Sequence, residues 1–489
     1  MKTTALIIIV LSGISILCTS TFAQNYNDAL LLSEPGILSS ARSLAMGNSY
    51  TALSNDYSGV LFNPAGLGLI KKTDLTLSMN YNSFENQTTF FSNSLGASQT
   101  AVNLNQVGFV YPLPTLKGSW VFAMGYSRTK EFNGIMEFNG FNNNNNSMIQ
   151  FVTGDVNDEV PITNDLGLAY EIRDSQLNSY IKDTTLINGM LNQSGNTKKQ
   201  GNLGSWSFAS SLEIAKGLFI GGTFNILSGS YKSDRDYWED DTQNNYGAGI
   251  EMVPGDASTR DFITYYMNDI IEWDLSGWDS RLGILYNFED FFRFGAAVKF
   301  PSFYEVKETF YVDAASEFGT GAAYQLDPKI VDNVEYEIKT PFEYSVGASL
   351  ALLVFTVSGD AKIIDYTEME FTQGFSDEYR IERNKEIEDL FRAALTLNAG
   401  TEFKIPGLPI YGRIGAMYVQ SPYADDPAEF DKKYLTAGAG ITFADVFSID
   451  VAFVHGWWED FGDNYGVNQS RTFQDINLQN VILGISAKL

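Results

Sequence analysis

One histidine and one cysteine restrict the reactions open to this chain of 489 residues. A serine hydrolase needs a base within hydrogen-bond reach of its nucleophile, and His455 is the only histidine. It alternates with Ile449, Val451 and Phe453 on an apolar face beside Trp457, where an interfacial aromatic girdle is the simpler reading. Cys18 lies in an N-terminal apolar run, so the rest of the chain has no thiol chemistry, disulfide or Cys-based zinc site. Asp155, Asp158 and Glu159 would suit a divalent cation but lack ligand spacing. No catalytic residue, metal or other cofactor is expected.

What remains is electrostatic chemistry on alternating positions. Arg281, Arg293, Lys299, Asp360, Lys362, Glu402, Arg413 and Asp450 fall on the non-apolar face of segments whose every second residue is apolar. In Phe292–Phe300 the apolar set is Phe292, Phe294, Ala296, Val298 and Phe300, against Arg293, Gly295, Ala297 and Lys299. Trp120, Phe122, Met124 and Tyr126 alternate in the same way with Val121, Ala123, Gly125 and Ser127. This period of two suits a strand with one greasy face. A buried sandwich would have to bury Arg293 and Lys299 or expose the aromatic face to water. Lipid outside and a polar lumen inside satisfy both faces. Charges of both signs on the inner face predict ion pairs across the lumen rather than a wide single-sign pore.

The elements that carry these residues read as an all-β, antiparallel transmembrane barrel. Past the N-terminus no apolar run is long enough for a spanning helix, which leaves a closed barrel as the structure that satisfies its backbone in lipid. About fourteen strands are expected between 73 and 489, joined alternately by short turns and long polar loops. The short turns are Pro112–Gly118, Lys216-Gly217, Glu289-Asp290, Leu352-Leu353, Ile405–Pro409 and Ala444-Asp445. The long loops, 82–100, 129–204, 232–277, 313–333 and 367–390, would face outside. Within the longest, Leu177, Tyr180, Ile181, Ile187, Met190 and Leu191 have helical spacing and predict an amphipathic helix in Asn164–Leu191. Asn142–Asn146 reads as a mobile tip.

Lys2, the apolar run Ala5–Leu17 and Thr21-Phe22-Ala23 form a signal-peptide pattern over residues 1–23, which implies export to the bacterial outer membrane. The formal charge of −27 gathers between strands, as in Asp234–Asp241, Asp425–Glu429 and Glu459–Asp463. It excludes the basic footprint that nucleic acid requires. Outer-membrane lipid and lipopolysaccharide are the expected surroundings, and a monomer the expected state.

Fourteen strands enclose more space than strand side chains fill. The candidate plug is residues 24–72, before the barrel at 73–489; it is rich in small residues, helix-like at Ser40–Met46, and ends in Asn63-Pro64-Ala65-Gly66-Leu67. Here the chain resembles the FadL/TodX-type outer-membrane transporters of long-chain fatty acids and aromatic hydrocarbons. The resemblance runs from Ala41-Arg42-Ser43-Leu44-Ala45-Met46-Gly47 through Ala52–Asp56 to Asn63-Pro64-Ala65. It returns in Arg413-Ile414-Gly415, Ser421-Pro422, Leu435–Gly438, Ser448–Val451 and His455-Gly456.

The resemblance implies a fourteen-stranded barrel with an N-terminal hatch in its lumen. It also implies passive uptake of a hydrophobic small molecule, captured by outer loops and released sideways beside a kinked third strand, here the run through Gly125. The uptake reading predicts an apolar pocket touching Asn63–Leu67. Two other readings compete: a barrel serving as a secretion or cargo-attachment partner, as in the type IX system, and an outer-membrane hydrolase.

Overall fold

Fourteen antiparallel strands close into a barrel in the computed structural model, which describes residues 26–153, 162–174, 176–444 and 446–489. Residues 1–23 and the carboxylates Asp155, Asp158 and Glu159 lie outside the described residues. The strands are β1 Asp74–Phe90, β2 Asn93–Leu113, β3 Trp120–Glu131 with its continuation Gly134–Asn142, β4 Leu191–Ala215 and β5 Leu218–Asp240. Next come β6 Phe262–Phe288, β7 Phe292–Lys299 with Phe303–Phe318, β8 Ile330–Lys339 with Glu343–Leu352, and β9 Phe355–Asp365 with Glu370–Gln373. The last five are β10 Ala393–Lys404, β11 Ile410–Val419, β12 Lys432–Phe443, β13 Phe447–Asp463 and β14 Arg471–Lys488. β14 closes on β1 from Asp74↔Lys488 to Phe90↔Thr472.

The alternation seen in the sequence is the alternation of the wall. Met79, Tyr81, Trp120, Phe122, Phe294, Ile414, Leu435 and Phe453 are exposed on the outer face, an apolar band that water would not tolerate and lipid does. His455 belongs to this face and stacks on Trp457, centroids 5.5 Å apart. The expected short turns join the strands at one rim, with φ positive at Gly217, Glu289, Asp290, Leu353 and Ala444. By the rule for such barrels that rim is periplasmic; Asp445 is outside the described residues.

The outer rim departs from expectation. Residues 82–100 form no loop: β1 and β2 run on as a hairpin to Phe90↔Asn93. β5 and β6 likewise pair up to Asp240↔Thr264. Above the membrane the outer face of these strands meets water while the inner, buried face mixes polar residues such as Asn86 and Thr88 with apolar ones such as Phe90 and Tyr237, so the hydrophobic period breaks while the ladder of hydrogen bonds continues. Among the described residues of Asn164–Leu191 there is no amphipathic helix. After the four-residue helix Ile162–Asp165 come the hairpin strands Tyr170–Arg173 and Tyr180–Thr184. Asp174 stops helical winding by accepting from the amides of Gln176 and Leu177 (2.8 and 2.7 Å), the local competition an aspartate side chain offers. Leu177, Tyr180 and Ile181 are exposed, whereas Ile187 and Leu191 enter a cap core with Phe90, Phe138, Met148, Tyr237 and Phe262. Of the expected tip Asn142–Asn146, Asn142 is fully buried in that cap and donates to Asn146 Oδ1 at 2.7 Å, whereas Asn143–Asn145 are exposed.

The N-terminal segment fills the lumen. Helix α1 (Tyr26–Ser33) stands highest, helix α2 (Ala41–Ala45) sits at mid-height, and two short 3₁₀ turns, Tyr57–Val60 and Pro64–Leu69, lead down to β1. Ser40 caps α2 by accepting from the Ser43 amide, one of the donors a helix start leaves free.

Candidate functional site

The hatch is held by three kinds of contact. The first is an ion quartet. Arg42 of α2 reaches Glu402 of β10 through two bonds, Nε–Oε2 at 2.9 Å and Nη2–Oε1 at 3.0 Å. Glu402 also accepts from Arg413 at 2.6 Å, and Arg413 donates to Asp450 at 2.6 Å. Arg42 Nη1 donates to Asn55 at 2.8 Å, and the Tyr50 hydroxyl donates to Asp56 at 2.6 Å. Burial works against the Arg42 charge, but Glu402 outweighs it and holds the guanidinium well above its ordinary value. Burial pushes the Tyr50 phenol well above its own, against the pull of Arg42.

The second kind is side chain to hatch backbone. Asp360 accepts from the amides of Tyr50 and Thr51 at 2.8 and 2.7 Å. Arg281 donates to the carbonyls of Leu61 and Phe62. The third is close backbone approach. A Cβ at Gly400 would lie 2.2 Å from Met46 O, and one at Gly415 2.3 Å from Gly47 N; only glycine admits a hatch this tight.

Asn63-Pro64-Ala65 acts as a wedge. Asn63 is fully buried, caps the second 3₁₀ turn through Ala65 N at 3.1 Å, and donates to Thr51 O and Ile284 O, both at 2.9 Å. Pro64 occupies the first helical position, where its missing N–H costs nothing. Gly66 and Leu67 are buried with them.

Above the hatch, inward-facing Leu203, Leu227, Tyr231, Trp273, Leu275, Tyr304, Val306, Tyr336, Ile338 and Phe371 make an apolar chamber, filled by Ala29, Leu30 and Leu32 of α1. α1 is strapped at its C-terminal end. Lys130 of β3 donates to Leu31 O and Glu34 O at 2.6 and 2.9 Å, and Lys432 of β12 pairs with the Glu34 carboxylate at 2.8 and 2.9 Å. Burial opposes that charge, yet Lys432 and then Lys130 hold Glu34 below the usual carboxylate range, a cation pair also suited to a helix C-terminus.

Beneath α1 lies a cavity of about 170 Å³, on the opposite side of the hatch from a second, periplasmic cavity of about 310 Å³. The upper one is bounded by Lys299, Glu343 and Lys362, where Glu343 accepts from both lysines (2.9 and 3.1 Å). It reaches Val60, Leu61 and Phe62 and stops short of Asn63–Leu67. Asn63–Leu67 are themselves buried and pressed against the wall, so among the described residues the continuous apolar pocket expected there does not open onto them.

The wall itself changes character beside this cavity. β2 and β3 pair from Leu113↔Trp120 up to Gln106↔Ser127, and beyond that point Asn93–Asn105 is laddered to β1 alone. Two irregularities mark the break, one in the β1–β2 register at Ser78/Met79 and one in β3 between Arg128 and Lys130. Side chains replace the ladder: Glu131 Oε1 accepts from Asn80 and Asn103 at 3.1 and 2.7 Å, and Arg128 donates to Leu104 O at 3.3 Å. Thr129 and Lys130, at the break, also border the cavity. Gly36 of the hatch lies so close that a Cβ there would be 2.0 Å from Thr129 O.

The eight charges singled out by alternation separate into distinct groups. Glu402, Arg413 and Asp450 form the quartet with Arg42; Lys299 and Lys362 share Glu343; Asp360 and Arg281 hold hatch backbone. Arg293 stands apart at the periplasmic rim near Asp290, 3.5 Å away. The pairs run between strands one or two places apart and from strand to hatch rather than across an open lumen, because the hatch occupies the middle. Gly125 faces inward opposite Gly108, where the ladder is intact; a Cβ there would lie 2.6 Å from Tyr57 Oη. The irregularity of β3 sits four residues further on, at Thr129. Arg42, Glu34, Lys130, Glu131, Glu343 and Lys432 were missed as site residues. For Glu343 and Lys432 the alternation pattern itself carried the signal, whereas it pointed Lys130 outward, because the extra residue Thr129 reverses the faces of β3 beyond it.

Among solved structures, the chain is similar to the Pseudomonas putida toluene transporter TodX, with TM-score 0.54 and 14% identity over 93% of this chain and 98% of that one. A Pseudomonas aeruginosa FadL homologue aligns with TM-score 0.57 and 13% identity over 92% and 98%. The monoaromatic hydrocarbon channel CymD aligns with TM-score 0.51 and 12% identity over 93% and 98%. No protein-family model matches the chain, and no curated protein does. At these identities the likeness is one of fold: the chain shares the barrel fold of these channels.

Proposed function

We propose that the barrel passes hydrophobic small molecules inward across the outer membrane, without catalysis, by lateral release into the bilayer. The observation that carries this reading is the adjacency of an apolar chamber, closed below by a wedged hatch, to a wall joint that lacks its backbone ladder. A molecule entering from outside would replace Leu30 and Leu32 of α1 among the aromatic rings. It would leave between β2 and β3 near Thr129, toward lipid-facing Val102 and Leu104. Release there is favourable, since an apolar chain gains about 0.8 kcal/mol per CH₂ on entering the bilayer. The hatch residues 24–72, with Asn63-Pro64-Ala65 as their wedge, would keep the lumen shut to polar solutes during transfer.

Long-chain fatty acids and monoaromatic hydrocarbons are the substrate classes to try first, in keeping with the names of the similar channels. Cells making the protein should accumulate labelled probe of at least one class faster than cells lacking it. Equal uptake of both classes in the two strains would remove this reading and turn attention to the cap, a packed outer surface suited to holding a secreted partner.

A further inference from the structure

The way into the chamber is closed from above. The cap core takes Met148, Ile149 and Val152 of the short helix α3 (Met148–Thr153) and packs them with inward-facing Tyr237, Met267 and Phe310 of three barrel strands. Ile271 packs against this core and also against the chamber beneath it. A molecule from outside reaches the chamber only past the cap.

One carboxylate fastens α3 to the wall. Glu239, near the outer end of β5, is fully buried and accepts from the amides of Met148 and Ile149 at 2.7 and 3.3 Å. It also accepts from Gln193 of β4 at 2.8 Å and from the Tyr237 hydroxyl at 3.0 Å. All four donors are neutral. The titratable groups that face Glu239 are Tyr237 on its own strand, Tyr265 opposite on β6, Tyr246 in the β5–β6 connection and Tyr465 in the β13–β14 connection. α3 brings no charged side chain. Arg235, further down the same face of β5, is engaged by Asp269 at 2.6 Å, and Asp241 is turned to the amides of Asn245 and Tyr246. A carboxylate buried against neutral donors is costly to keep charged. Burial pushes the Glu239 carboxyl up to about 7, against the Met148 amide, the Tyr237 hydroxyl, the Ile149 amide and Gln193.

We propose that the cap is a proton-sensitive gate to the chamber, in which Glu239 latches α3 over the barrel mouth when protonated and lets it lift when charged. Lifting α3 returns the carboxyl to water and to its ordinary value of about 4.3, so the closed cap holds the proton more tightly than the open one. Closure is strongest below about pH 4, weakens as pH rises, and reaches its lower level above about pH 7. The gate serves the uptake reading, but its test needs no cargo, so either can fail alone.

The test is hydrogen exchange of the α3 amides in the full-length protein in detergent, with Glu239→Gln as a permanently uncharged latch. Comparing the two proteins at each pH cancels the intrinsic pH dependence of exchange. Between about pH 5.5 and pH 8 the wild-type protection should fall about thirtyfold relative to the variant, while the amides of β11 stay equally protected in both. Should Glu239→Gln fail to fold, the wild-type profile corrected by exchange from a blocked Met148–Thr153 peptide decides alone, with the same thirtyfold fall expected. Wild-type protection that is flat across this range, or that falls equally in a folded Glu239→Gln barrel, overturns the proposal.

Discussion

Replacing Arg42 by methionine should loosen the hatch while sparing the barrel. The side chain makes two bonds to Glu402 and one to Asn55, at 2.8 to 3.0 Å, and bonds of this charged kind are worth about 1.5–3 kcal/mol each. Glu402 keeps Arg413 at 2.6 Å, so the carboxylate is not stranded. The net cost then falls near the lower end of the 3–5 kcal/mol typical of breaking a buried pair, about 3 kcal/mol. At 1.4 kcal/mol per tenfold, the released population rises by about two orders of magnitude. The assay is labelling of a cysteine placed at Ala52, fully buried in the hatch, by a water-soluble maleimide in a Cys18→Ser background. Arg42→Met should speed labelling about a hundredfold and raise ion conductance in planar bilayers. The double variant Arg42→Met, Glu402→Met should cost less than the sum of the two singles, because the pair is coupled. Unchanged labelling and conductance in a folded Arg42→Met barrel would refute the latch.

Other expectations follow from the same contacts. Gly415→Val has no room beside the hatch, because its Cβ would lie 2.3 Å from Gly47 N, so it should displace α2 and raise conductance as Arg42→Met does. Leu32→Ala, at a position 4% exposed, empties part of the chamber at a cost of roughly 2–5 kcal/mol; small apolar ligands should then bind more tightly, read as a larger change in Trp273 fluorescence. Acid should release α1 late. The Glu34 carboxyl is held below its ordinary value by Lys432 and Lys130, so its stabilising contribution is present above the unfolded value of about 4.3 and is lost as pH falls through the lower folded value. Protection of α1 amides from hydrogen exchange should be flat from about pH 7 to 5 and fall only below about pH 4.

The barrel was legible because lipid imposes a period of two on every spanning segment, and Phe292–Phe300 or Trp120–Tyr126 can satisfy it in only one way. The outer rim was not. Where one face of a strand meets water, as at Glu85, Gln87 and Thr89 of β1, and the buried face is as polar as Asn86 and Thr88, no hydrophobic period distinguishes strand from loop. The helical spacing of Leu177 through Leu191 misled for a related reason: those residues serve different surfaces, and Asp174 turns the chain between them. The inward charges were found by alternation, but their partners were not. Which cation meets which carboxylate depends on the barrel's curvature and on a hatch placed by long-range contacts such as Arg42 with Glu402. Gly125 drew attention as the single glycine in its run, whereas the break in β3 arises from an extra residue, Thr129, that no residue type announces.

If cargo leaves through the joint between β2 and β3, bridging that joint should block it. Cysteines at Asn103→Cys and Glu131→Cys, whose native side chains meet across it, can be tied with a short, reducible bis-thiol reagent in cells supplied with labelled long-chain fatty acid or toluene. Uptake should stop when the joint is tied and return on reduction, with the barrel assembled throughout. Uptake that proceeds at the same rate with the joint tied would contradict it.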